Sequence, residues 1–178
     1  MTRYVALLRG IGPATHTAMP LGALAAACLR YGLHDVVSVG NTGNLVLGSE
    51  LPQAEVEHLI TAAVKSFGLG NEVFTRSEKQ LRKLIEKAPF PDAAAGWPGK
   101  LGVCFFHKDP SWPRAYLDYD GPERLLMLSN HLIVDYGGQT AVSRLTIEKT
   151  VGARMTQRNW SSVLRIVAAL GDSAQAAR

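Results

Sequence analysis

Near the end of the chain, Thr156-Gln157-Arg158-Asn159-Trp160-Ser161-Ser162-Val163 gathers the residue types best suited to chemistry. Asn159 carries the side chain of a helix N-cap, able to accept from backbone N–H groups near Ser162. Arg158 stands just before that helix start, where backbone N–H groups favour anions. With Arg154 it is a candidate clamp for a phosphate or carboxylate, a carboxylate of the protein itself being the commoner partner. Trp160 aligns with Val163, Leu164 and Val167 at the spacing of a core face. A second group, Arg9-Gly10-Ile11-Gly12, follows the first apolar run; its glycines let a ligand approach the backbone, or serve a tight turn. A third, Asn41-Thr42-Gly43-Asn44, puts polar side chains at a strand end and is equally hairpin-turn composition. The candidate ligand-binding residues are therefore Arg9, Asn41, Asn44, Arg154 and Arg158.

The missing motifs matter as much. There is no G-x-x-x-x-G-K-[ST] loop, no G-x-G-x-x-G after the first strand, no H-E-x-x-H and no G-x-S-x-G. His16, His34, His58, His107 and His131 are scattered, with no pair at ligand spacing. No metal, no cofactor and no catalytic residue is assigned, and whether the chain is an enzyme is left open. The net charge of +4 is unevenly placed. One basic cluster is Arg76, Lys79, Arg82, Lys83 and Lys87; the other is Arg144, Lys149, Arg154, Arg158 and Arg165. Such clusters attract phosphate or nucleic acid, and are also ordinary solvated helix faces.

These groups need elements to position them. Arg3–Arg9 reads as a buried strand and 11–18 as a loop. A helix opens with Pro20 at its first position, repeats Leu21, Leu24, Ala25 and Cys28, and is closed by Gly32. A hairpin, 35–39 and 45–47, turns at Asn41–Asn44. A helix from Pro52 with Val56, Leu59, Ile60, Ala63 and Phe67 inward, then a strand over 71–75, complete β-α-β-β-α-β, the ferredoxin-like order. Ser77 and Gln80 form a capping box for a basic helix whose buried stripe is Leu81, Leu84, Ile85 and Ala88. The stretch 95–99 is the candidate linker. Beyond it a strand over 100–107, a short helix near 115–118, a hairpin around Ser129-Asn130, a helix over 142–151, a strand over 154–157 and a final helix over 160–170 repeat the order.

The fold class expected is α+β: two ferredoxin-like βαββαβ halves, residues 1–90 and 91–178, plus a C-terminal helix, with the two halves able to share one domain. At 178 residues, 47% apolar and 19% charged, the chain is an ordinary globular protein. Its opening apolar run is too short for a secretory signal, and no stretch approaches the ~20 apolar residues of a membrane helix. Cys28 and Cys104 read as reduced core thiols. A cytoplasmic location without membrane contact follows as the expectation; the oligomeric state is not legible.

Several segments carry a resemblance: Arg3-Tyr4-Val5-Ala6-Leu7-Leu8-Arg9-Gly10-Ile11, Thr42-Gly43-Asn44, Ala88-Pro89-Phe90 after a basic helix, and Thr156-x-Arg158-Asn159-Trp160 with Val163. In this order they resemble the uncharacterised bacterial family catalogued as domain of unknown function 1697. The resemblance implies a pair of ferredoxin-like units and no established activity. The chain departs from the pattern where R-G-I is usually followed by N-V-G-G, here Gly12-Pro13-Ala14-Thr15; where S-G-N is usual, here Thr42-Gly43-Asn44; and where N-P-F is usual, here Ala88. If the first loop binds a ligand in the family, that role is altered here.

Three functions are in play. The first is binding of an anionic ligand such as nucleic acid or a nucleotide phosphate, favoured by the basic clusters. It is not the usual RNA-recognition version, because the ribonucleoprotein motif is absent and aromatics are 7%. The second is a small-molecule enzyme with a pocket between the halves, lined by Arg9, Asn41, Asn44 and Arg158. The third is a non-enzymatic partner-binding protein using Trp97 and Trp112 as exposed contacts.

Overall fold

Seven consecutive residues from Thr2 to Leu8 form the first strand, β1, and all but the first are buried. In the computed structural model the described residues are 1–137 and 143–176, without the side chains of 172–176. The chain divides into two units: Met1–Leu84 with the chain from Arg165 onward, and Ile85–Leu164.

In the first unit β1 is followed by α1 (Pro13–Ala18), α2 (Leu21–Arg30), β2 (His34–Ser38), β3 (Asn44–Ser49), α3 (Gln53–Lys65), β4 (Val73–Ser77) and α4 (Glu78–Glu86). The sheet order is β2-β3-β1-β4 with every neighbour antiparallel, the ferredoxin-like arrangement. Alternation divides the strands between two faces. Tyr4, Ala6, Leu8, Leu45, Leu47 and Val73 share a core with Met19, Leu24 and Cys28 and with Val56, Ile60, Ala63 and Val64 of α3. Val5, Leu7, Val46, Phe74 and Arg76 lie on the opposite face and are buried as well, which is why β1 reads as a continuous apolar run.

The second unit continues with α5 (Pro91–Gly96), a 3₁₀ turn (Pro98–Lys100), β5 (Leu101–Phe106), α6 (Arg114–Leu117), β6 (Arg124–Leu128), β7 (His131–Asp135), α7 (Ile147–Val151) and β8 (Met155–Asn159), and α8 (Trp160–Ala176) leads out of it. The order β6-β7-β5-β8, again antiparallel, repeats that of the first sheet. Cys104, Phe106, Leu132 and Val134 pack with Tyr116 and Ile147. The α+β class with two four-stranded ferredoxin-like sheets and a terminal helix is thus as expected.

Local devices explain where elements stop. Gly32, at φ 86°, ends α2 in a Schellman motif: Leu33 N–H reaches the Cys28 carbonyl (3.2 Å) and Gly32 N–H that of Leu29 (3.0 Å). The capping box forms, with Ser77 N–H donating to Gln80 Oε1 (2.7 Å) and Gln80 N–H to Ser77 Oγ (3.3 Å). Ser162 N–H donates to Asn159 Oδ1 (2.8 Å), so Asn159 is the cap of α8.

Five details differ from the sequence reading. The segment over 11–18 contains α1, invisible to periodicity because the helix buries no residue. Pro20 is the N-cap of α2, not its first helical residue; its carbonyl accepts from Leu24 N–H (3.0 Å). Ala88 is exposed at φ 42°, outside the stripe of α4, because the helix ends before Pro89 restricts its predecessor. Leu164 is 43% exposed; Ile166 and Leu170 complete the buried stripe with Trp160, Val163 and Val167. Helix α7 begins only at Ile147: Ser143 Oγ donates to Glu123 and accepts from Leu145 N–H, holding those residues in a turn. Val142 lies outside the described residues.

The stretch read as a linker, and its tryptophan, are built into the second unit. Trp97 Nε1–H donates to Asp135 Oδ1 (2.7 Å), Arg124 donates to Asp135 (2.7 Å) and Asp92 (2.8 Å), and its guanidinium lies 4.6 Å from the Phe90 ring centre. Trp112 meets Phe106 edge-on at 5.5 Å. Both tryptophans are half-buried, not exposed as expected of them, because each finds an acceptor or an aromatic neighbour in its own unit.

Candidate functional site

Two loops meet at the end of the first sheet. As β1 exits, Leu8 N–H donates to the Gly43 carbonyl (2.8 Å) and Arg9 N–H to that of Glu72 (2.9 Å). The Asn71 amide holds the Arg9 and Gly10 carbonyls (2.9 and 3.2 Å) and the Thr15 hydroxyl also reaches Gly10 (3.2 Å). His16 Nε2–H donates to the Asn41 carbonyl (2.8 Å), tying α1 to the hairpin. Gly43, at φ 80°, is pressed against Ile11: a Cβ there would lie 2.4 Å from Ile11 Cγ1. Arg9, Asn41 and Asn44 are thus brought to one end of one sheet. Asn44 is buried, and its amide donates to the Val39 carbonyl and to Thr42 Oγ1, both at 3.0 Å, so it builds the turn. Asn41 is exposed and Arg9 half-buried. His16 joins them, a residue sequence reasoning left out; the signal was Pro13 opening a helix directly behind the glycine loop.

Arg154 and Arg158 belong to the second unit. They are four residues apart along extended chain, roughly 13 Å, with Arg154 exposed and Arg158 buried. Arg158 Nη1 donates to Thr156 Oγ1 (2.8 Å) and to the Gln157 carbonyl (2.9 Å), and burial pushes its guanidinium down to about 10. Arg76 is the counterpart on β4, 2% exposed and donating to the Thr75 carbonyl (2.7 Å). Burial pulls it down to about 10, against the opposing field of Glu57. Each basic cluster therefore loses its strand arginine to the interior.

What is left of the first cluster is ordered along α4. The row Glu78–Arg82–Glu86 alternates in sign, and Arg82 Nε donates to Glu78 (2.8 Å). The adjacent row, Lys79 and Lys83 with Lys87 in the turn that ends the helix, has one sign only. All three lysines are exposed and none makes an ion pair among the described residues. Like charges at i,i+4 destabilise a helix by roughly 0.2–0.5 kcal/mol per pair, so this face is built at a small cost and presents repeated cations about 6 Å apart.

Residues 1–118 match the family model described as "Protein of unknown function (DUF1697)". The chain belongs to that family. Among solved structures it is similar to the conserved bacterial protein SP0830 from Streptococcus pneumoniae, with a TM-score of 0.72 and 18% identity over 96% of this chain and 99% of that one. That likeness shows the fold. No curated protein matches the chain.

The family markers turn out to be largely architecture. Thr42-Gly43-Asn44 closes a turn that Ile11 packs on, and Arg158-Asn159-Trp160 supplies an inward arginine, a helix cap and a core tryptophan. The family itself has no assigned function. Among the described residues no group of three or more His, Cys, Asp or Glu is assembled for a metal ion. The most enclosed carboxylates are occupied. Burial alone would raise Glu123, but the Ser143 and Tyr119 hydroxyls hold it below its ordinary value. Asp135 is likewise held low, against burial, by Trp97, Gly137 N–H and Arg124. Neither is poised as a general acid near neutral pH.

Proposed function

We propose that the chain binds a polyanion, specifically a single-stranded nucleic acid, along the lysine face of α4. The supporting observation is the row Lys79–Lys83–Lys87, exposed and uncompensated beside a row that neutralises itself. A flexible polyphosphate strand can follow such a row, and each phosphate neutralised releases counterions. Low aromatic content, 7%, argues for backbone contact over base stacking. We place this activity in the cytoplasm: no described helix is long and apolar enough to cross a membrane, and both cysteines are free and buried.

The test is fluorescence anisotropy of a labelled single-stranded RNA across a salt series. Three phosphate contacts give a slope of log affinity against log salt near −2. Charge reversal at Lys79, Lys83 and Lys87 together should abolish binding at low salt. Flat titrations of the wild type, or equal affinity for the reversed variant, would remove the proposal.

A further inference from the structure

Arg3 lies on β1 opposite Gly48 of β3, and is 7% exposed. A charged group so enclosed needs its donors filled, because a buried unpaired donor costs free energy that water would otherwise supply. Among the described residues only Nη1 has a partner, Asp35 Oδ2 at 3.4 Å, a long contact to a carboxylate that is itself 45% exposed. Nε and Nη2 are buried with no hydrogen-bond partner among the described residues. These two nitrogens share one edge of the planar guanidinium, and their N–H bonds form the fork that takes a carboxylate two-point.

The surroundings are shaped to this side chain. Gly48 makes room for it: a Cβ there would meet Arg3 Nη1 at 3.2 Å and Met1 Sδ and Cε at 2.8 and 2.9 Å, so both side chains pack over a position that has no side chain of its own. Asp35 sits at φ 48° where the β2–β3 pairing slips between His34 and Val37. Asp is one of the few non-glycine residues that adopt that conformation readily, and the irregular pairing turns it toward Arg3. Met1, whose thioether lies against Gly48, is 57% exposed. Asp35 meets Arg3 Nη1 and Glu50 pairs with the Met1 ammonium, so beside these two carboxylates a single negative charge is tolerated better than two.

We infer that the Nε/Nη2 edge of Arg3 is a receptor for the carboxylate of a small organic acid, separate from the lysine face of α4. Acetate is the probe. Melting of the full chain is followed in ~100 mM sodium acetate against sodium chloride of equal ionic strength, with sodium phosphate as the comparison. If acetate binds near 10 mM, the expected rise is about 3–5 °C. Arg3→Lys keeps the charge and loses the fork, so the rise should vanish. Arg3→Met should lose it too while staying folded and at least as stable in chloride, because the unfilled donors are gone. Reversing Lys79, Lys83 and Lys87 should leave the acetate effect intact. No acetate-specific rise in the wild type, an equal rise in Arg3→Lys, or a larger Arg3-dependent rise with phosphate would each overturn the assignment; a folding failure of Arg3→Met leaves Arg3→Lys to decide.

Discussion

Replacing Gly43 by alanine tests the packing of the two loops at the end of the first sheet, and its cost has two separable parts. The backbone sits at φ 80°, where a side chain costs about 1–2 kcal/mol relative to glycine. The new methyl would also lie 2.4 Å from Ile11 Cγ1, 3.1 Å from Leu8 Cβ and 3.3 Å from Ile11 Cβ. Overpacking of this kind costs about 1–3 kcal/mol once neighbours shift. The sum, about 2–5 kcal/mol, is a large part of the roughly 5–15 kcal/mol that holds a domain folded. Urea unfolding followed by circular dichroism measures it. The same substitution made in an Ile11→Ala background removes the nearest atom but leaves Leu8 Cβ and the backbone strain. The penalty there should fall by at least about 1 kcal/mol, a coupling that additive effects would not give. A Gly43→Ala protein within about 1 kcal/mol of wild type, or an equal penalty in both backgrounds, would refute this account of the loop contact.

Asp135, held below its ordinary value, contributes stability that is present above its unfolded pKa of about 3.9 and lost as pH falls through the lower folded value. Acid unfolding of wild type should therefore show a step below about pH 4 that Asp135→Asn lacks, and Asp135→Ala should lose about 1–3 kcal/mol by leaving Trp97 and Arg124 without their acceptor. Asn159→Ala and Ser77→Ala should each cost about 1 kcal/mol in urea unfolding as lost helix caps, and their effects should add. Cys28 and Cys104 are pushed by burial up to about 11 and about 12, so iodoacetamide at pH 8 should label neither until the chain is unfolded; mass spectrometry of native protein reads this directly.

How far the sequence carried depends on whether a residue's role is local. The capping box at Ser77 and Gln80, the Asn159 cap, the Gly32 stop and the hairpin at Ser129-Asn130 are set by neighbours in the chain, and all were legible. Helix α1 was not, because it buries nothing and is tied by a hydrogen bond to a distant hairpin. Nor was the fate of the arginines. Arg76, Arg82, Arg154 and Arg158 look alike in a one-dimensional charge cluster. Strand register sends Arg76 and Arg158 inward, while a partner four residues away neutralises Arg82. The unfilled edge of Arg3 was beyond reach for the same reason, since which of its donors find a partner depends on residues distant in the chain.

Register also exposes a likeness between the two units that sequence comparison does not. On β4 Arg76 stands opposite Val5 of β1, and Ser77 beside it caps α4. On β8 Arg158 stands opposite Val103 of β5, and Asn159 beside it caps α8. Val5 and Val103 are in turn opposite Val46 and Ile133 on their other sides. Each unit thus ends its fourth strand with a buried arginine that bonds its own strand, followed at once by a polar cap and a helix. The arginine and the cap are coupled by position: the strand residue points inward, so the next one, facing the other way, is free to turn toward the helix N-terminus. A substitution such as Arg158→Met would keep the length and remove the charge. The stability of Arg158→Met in urea unfolding, set beside that of Asn159→Ala, would measure how much of the strand-to-helix turn rests on the arginine and how much on the cap.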